Sequence, residues 1–301
     1  MRRVLIPTFA GVIVLAVTGL VTGVIGATVR GGSPILPAPE IHLAPQVIFH
    51  LGAFGVTNTL LSAWLTTGVL VLLFGLGTRK MRVIPQGLQN LLEVIIEQLY
   101  NFGVGVVGAS YGRKVFPIIA TLFLFVVFNS WIALLPIYPS VGIMGMDGQI
   151  ETHLLRSAGT DLNLPIALAL VSFLLVEYWG LRAHGLSYFS EFFRYKTLAK
   201  GVRRLSPGLI FMGGIDVFVG LLELLSHFVR VVSFSFRLFG NMTAGEILLL
   251  MATFLVSFVV SVVFYGLELL VGVVQALIFA GLTLAFIQVA VTPHEEENSK
   301  H

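Results

Sequence analysis

Apolar residues run through this chain in blocks rather than in alternation. Mainly apolar stretches cover residues 4–29, 58–77, 115–137 and 163–181, and a single tract extends from 209 to 291. A membrane-spanning helix needs about 20 such residues. The first four blocks each predict one span. The tract predicts two antiparallel helices with a turn near 251–258, where neither Pro nor Gly marks the reversal. Between the second and third blocks, "PQGLQNLLEVIIEQLYNF" (85–102) changes period. Gln89, Glu93 and Glu97 recur every four residues, while Leu88, Leu91, Leu92, Ile95, Ile96 and Leu99 take the other face. That pattern predicts an amphipathic helix at the membrane interface or against a neighbour. The fold class expected is an all-α integral membrane protein of five to six spans, including a long, strongly tilted C-terminal hairpin and one interfacial helix.

Composition agrees. The chain is 56% hydrophobic and 11% charged, against about 25% charged in soluble domains. The net charge of +3 does not point to nucleic acid, because the basic residues fall in short loops. Arg79, Lys80 and Arg82 follow the second span. Arg182, Arg194, Lys196, Lys200, Arg203 and Arg204 fill 182–207. Asp147, Glu151 and Asp161 face a single Arg156 in 138–162. With six spans the basic loops and both termini share one side, which the positive-inside rule makes cytoplasmic. The first block, preceded by "MRR", also fits a secretory signal, but its apolar run is long for one and reads as an anchor. The expected organisation is an anchor over 1–30, one membrane domain over 31–293 and a polar cytoplasmic tail over 294–301.

Several motifs carry no chemistry. "GVGVVG" (103–108) matches a dinucleotide fingerprint but lacks a preceding strand, and reads as close helix packing or a turn. "NMT" (241–243) lies in the apolar tract and is discounted as a glycosylation site. There are no cysteines. The seven histidines show no metal-ligand spacing, and neither a metal nor a cofactor is expected.

The charges inside the tract are Asp216, Glu223, Arg230, Arg237, Glu246 and Glu268. Each costs about 2.5–3.5 kcal/mol at a helix centre on insertion scales. Asp216, Glu223, Arg230 and Arg237 are spaced by seven, so they share a helical face. Gly220, His227, Phe234 and Asn241 fall on or beside it. One reading is structural, a stripe of internal ion pairs, acid half to basic half, that takes up Asp216 and Arg230. Arg237 fits that reading poorly, since no acid lies three or four residues away and its same-face neighbours are Ser233 and Asn241. It calls for an anion from elsewhere. On the returning helix Glu268 and Gln275 share a face. If Gln275 lies level with Arg237, Glu246 comes level with residue 266, beside Glu268. Two carboxylates would then meet, which suits a proton relay, although two acids capped separately would also fit. On these residues alone a stand-alone channel and a structural scaffold stay open beside a partner-dependent proton path.

"RLFGNMTAGE" (237–246) resembles the signature helix of the a subunits of F-type ATP synthases. "EIHLAPQVIFHLGAFGVTNT" (40–59), "PQGLQNLLE" (85–93), "DLNLP" (161–165) and "VVQALIFAGLTLAFI" (273–287) are similar to the same family in the same order. The resemblance covers roughly residues 38–293. It implies a non-catalytic stator that forms two offset proton half-channels against a rotor ring of c subunits. Its other partners would be b-type peripheral-stalk subunits, the rest of the synthase and membrane lipid, in a prokaryotic plasma (inner) membrane with the C-terminus cytoplasmic. Arg237 matches the family's essential arginine and Glu246 its outer-channel acid. Glu268 stands where many bacterial members carry histidine. Asn241 and Gln275 match polar residues near the arginine, and Glu223 and Ser233 match inner-channel positions. Asp216, His227 and Arg230 are secondary candidates. The 4–29 span lies outside the resemblance.

Overall fold

The computed structural model describes residues 14, 17–19, 21, 23–31, 44–135, 138, 141–144, 150–185, 187–188, 195–204, 206–256 and 259–292. The predicted first span and polar tail fall largely outside them. The helices, in chain order, are α1 (Val24–Arg30), α2 (Asn58–Thr78), α3 (Leu88–Ala133), α4 (Asn163–His184), α5 (Lys196–Arg203), α6 (Pro207–Leu255) and α7 (Val259–Val291). Two short antiparallel hairpins add to them. β1 (Val47–Leu51) pairs with β2 (Phe54–Thr57), and β3 (Gly142–Met144) with β4 (Ile150–His153). Five helices are long and apolar enough to cross a membrane. The chain is a mainly helical, multi-pass membrane protein.

α3 is two helices in one run. Gly108 has φ 78° and ψ 163°, a conformation only glycine adopts readily, and it breaks the helix. The "GVGVVG" stretch is therefore the helical end of the amphipathic segment, closed by a kink at Gly108 before the span that follows it. The amphipathic face is not simply polar-out, however. Gln89 is buried: Arg82 N–H donates to its Oε1 at 3.0 Å, and its Nε2 donates to Arg82 O at 2.9 Å and to Glu93 Oε1 at 2.7 Å. Leu88, Leu91 and Val94 stay exposed on the chain.

α6 runs for 49 residues, about 74 Å at 1.5 Å per residue. The tract breaks between Leu255 and Val259, at the predicted turn.

Contacts sort the chain into two compact units. One comprises Met1–Lys80, Leu124–Leu162 and Leu238–Leu277; the other comprises Met81–Phe123, Asn163–Arg237 and Ile278–His301.

In the first unit α2 is turned inside out relative to a soluble helix. It buries Asn58, Thr59, Ser62 and Thr66 and exposes Trp64, Leu65, Val71, Leu72 and Leu76. A helix facing lipid needs nothing polar outside, so its polar groups turn inward, Ser62 and Thr66 donating to carbonyls of their own helix and Asn58 and Thr59 reaching other parts of the chain. Asn58 Nδ2 donates to His153 O at 3.2 Å and Thr59 Oγ1 donates to Asp161 Oδ2 at 2.8 Å. The loop after α3 is held by this polar stripe, and Asp161 is part of the scaffold. The end of α3 packs on α7 through a small residue. A Cβ on Gly272 would lie 2.8 Å from Ser130 Cβ, and the Trp131 indole donates to Leu269 O at 3.0 Å. Because Ser130 Cβ cannot swing aside, Gly272→Val overpacks this contact. The expected cost is about 1–3 kcal/mol, measurable as a lower unfolding temperature in detergent.

In the second unit Val115, Ile119, Val176, Trp179, Leu284 and Ile287 form the core. Phe234 and Phe279 pack beside it with centroids 5.0 Å apart. The buried hydroxyls of Ser172 and Thr283 bond at 2.7 Å and tie α4 to α7. Gly213, Gly220, His227 and Phe234, spaced by seven, form a buried seam along the first part of α6. The charges Asp216, Glu223, Arg230 and Arg237 stand beside that seam.

Candidate functional site

The first unit contains a cavity of about 210 Å³. Its wall is built from α6 (Met242, Thr243, Glu246), α7 (Tyr265, Glu268), the end of α3 and the stretch His153–Ser157. Glu246 and Glu268 both face it. Glu268 is 8% exposed, and its carboxyl group lies where a Cβ on Gly245 would be. Glycine at 245 is thus what lets the acid of α7 lie against α6. His153 Nδ1, Ser157 Oγ, Thr243 Oγ1 and Glu246 Oε2 are buried with no hydrogen-bond partner among the described residues. A polar cavity with room for several waters would satisfy them. Tyr138 closes one side. Burial pushes its phenol above the ordinary value, with the Ser62 hydroxyl pulling weakly the other way, so it stays neutral.

The expected meeting of two bare carboxylates needs one correction. Arg156 Nε lies 3.7 Å from Glu246 Oε1. The residue read from its loop as a topological charge is a cation inside the cavity. The signal available in sequence was its lone position among acids, which says nothing about a helix some ninety residues on.

The second unit gathers a different set. His227 Nδ1 lies 2.6 Å from Glu177 Oε1, and its Nε2 lies 3.7 Å from Glu223 Oε1. A buried imidazole thus stands between two carboxylates, one from α4 and one from its own helix. Glu177 was missed in the sequence, since nothing in α4 marks it as facing His227. Arg230 lies over the Phe286 ring at 3.7 Å. That is cation–π packing on α7, with Glu177 and Glu223 the acids that act on the same guanidinium. Asp216 is half-buried.

Arg237 is exposed on α6. Its Nη2 lies 3.5 Å from Ser233 Oγ, and its guanidinium lies 5.9 Å from the Phe234 centroid. It forms no ion pair among the described residues. Asn241 is half-buried, whereas Gln275 is buried and its Nε2 has no hydrogen-bond partner among the described residues. No group of three His, Asp or Glu side chains among the described residues is arranged to hold a metal ion.

Residues 60–288 match the model of the ATP synthase A chain. The chain belongs to that family. It is 32% identical over 269 residues to the ATP synthase subunit a of Gloeobacter violaceus, covering 89% of this chain and 97% of that protein. It is also 32% identical over 231 residues to the subunits a of Helicobacter acinonychis and Helicobacter pylori, covering 76% of this chain and 88% of each. As a member of the ATP synthase A chain family the chain has no catalytic constellation to account for. Its polar groups are to be judged as proton carriers or as helix fasteners.

Proposed function

We propose that this chain is the proton-translocating stator of a rotary ATP synthase. It assembles with the rest of the complex, and residues 31–293 form its membrane domain. In this reading it lies in a prokaryotic plasma (inner) membrane with its C-terminus cytoplasmic, against a ring of c subunits and beside b-type stalk subunits. Two offset half-channels bring protons to and from a ring carboxylate. Glu246 and Glu268, facing the polar cavity, serve the outer path, with Asn241 and Gln275 beyond them. Glu223 and Ser233, joined by His227 and its partner Glu177, serve the inner one. Arg237 ends both paths.

The observation that carries the reading is the state of Arg237. It is a permanent cation on an exposed face of a spanning helix, with a serine hydroxyl its one polar partner among the described residues. Such a group is stabilised by an anion supplied from outside the chain. The chain's lack of cysteine makes a direct test clean. Phe236 neighbours Arg237 and is 57% exposed. Phe236→Cys, paired with a cysteine beside the buried carboxylate of a co-purifying small hairpin protein, is expected to give an a–c disulfide in the assembled complex. A cross-link to no ring subunit, with cysteines placed all along the exposed face of α6, overturns the reading.

A further inference from the structure

The outer cavity contains a cation that is built into place. Arg156 is only 10% exposed at its side chain. Its backbone N–H donates to Ser62 Oγ at 3.2 Å, and its Nη1 donates to the Ala44 carbonyl at 3.0 Å. α2 and the chain before β1 therefore aim the guanidinium, leaving Nε 3.7 Å from Glu246 Oε1. The ionisable side chains around this carboxylate are Tyr138, His153, Arg156, Tyr265 and Glu268. Of these only Arg156 is charged positive at every working pH. The two acids thus share the cavity with one fixed cation, which sits on the Glu246 side.

We propose that Arg156 is a positioning residue of the proton path: held by Ala44 and Ser62, it fixes the Glu246 carboxylate in the cavity and sets the range of outer pH over which that carboxylate takes up protons. This rests on Glu246 belonging to the outer path. An adjacent cation favours the ionised form of a carboxylate. Neutralising Arg156 leaves Glu246 holding its proton to higher pH, so uptake from the outer side remains saturated in more alkaline solution. Release towards the ring becomes harder at the same time.

The test uses the whole synthase in lipid vesicles, with synthesis rate followed against pH on the outer side. Arg156→Gln is expected to raise the pH of half-maximal rate by about one unit, the low end of what a neighbouring opposite charge imposes. Glu246→Gln is expected to be slow, and adding Arg156→Gln to it is expected to change neither rate nor profile further. A slower Arg156→Gln enzyme with the native pH profile overturns the proposal. If Arg156→Gln alone fails to assemble, the double variant decides. Its assembly supports the pairing, because the half-buried Glu246 carboxylate is then no longer left without its cation; its failure assigns Arg156 to the fold alone. Native rates in Glu246→Gln would instead sink the outer-path reading itself, a distinguishable result.

Discussion

Arg237→Ala is expected to yield a synthase that assembles in normal amount and makes no ATP from a proton gradient. Assembly should survive because, among the described residues, the guanidinium ties α6 to no other helix. It is exposed, 3.5 Å from one hydroxyl of its own helix, and removing it relieves an insertion cost of about 2.5–3.5 kcal/mol. Function should fail for an electrostatic reason. A carboxylate passing about 4 Å from a fixed cation, at an effective dielectric constant near 20, gains about 4 kcal/mol in its ionised form. At about 1.36 kcal/mol per pH unit, that is about three units of lost proton affinity, enough to drive the proton off at neutral pH. With alanine the ring acid keeps its proton and turns without exchanging it. The same cation repels a proton running from one half-channel to the other, so the variant should also leak. Arg237→Lys keeps a charge, but a lysine ammonium shifts its proton affinity when desolvated, and coupling should be strongly reduced. Acid–base-driven synthesis in vesicles, with immunoblots for assembly, makes the measurement. Coupled synthesis at the native level in Arg237→Ala would remove the reading.

Much of the architecture was legible because lipid makes span length a physical constraint. Blocks at 58–77 and 163–181 became Asn58–Thr78 and Asn163–His184. The reversal near 251–258 was fixed by tract length alone. The inside-out faces were less legible. Asn58, Ser62 and Thr66 recur every four residues and mark a buried polar stripe, a signal present in the sequence but opposite in sense to soluble helices. Within the candidate site, residues that share one helix were readable from spacing. This is why Ser233 lies where the face of Arg237 predicted it. Partners supplied by another element were not. Glu177 reaches His227 and Arg156 reaches Glu246 across contacts that no periodicity encodes. Phe286 of α7, which stacks under Arg230, was equally hidden from the spacing of α6.

The acid of α7 offers a test in which stability and activity should move in opposite directions. Glu268→Gln preserves shape and removes the exchangeable proton, and a positioned proton carrier is worth about 10²–10⁴-fold in rate. ATP-driven proton pumping in inverted vesicles is expected to fall by about two orders of magnitude. Gly245→Ala reaches the same carboxyl group without altering it. The new Cβ would occupy the place of the Glu268 carboxyl, and that flexible end would swing away. Inside a helix alanine is favoured over glycine by about 1 kcal/mol, so the variant should be at least as heat-stable as the native chain. Yet a displacement of about 1 Å at a transfer site costs up to about 10²-fold, so pumping should drop by about tenfold or more. A scaffold role for Glu268 predicts the reverse order, with stability lost first and pumping kept in whatever complex assembles. Native pumping in both variants would take Glu268 out of the proton path while leaving Arg237 untouched. The two residues would then have to be explained separately, Arg237 as the gate and Glu268 as a buried acid fitted against a glycine for packing alone.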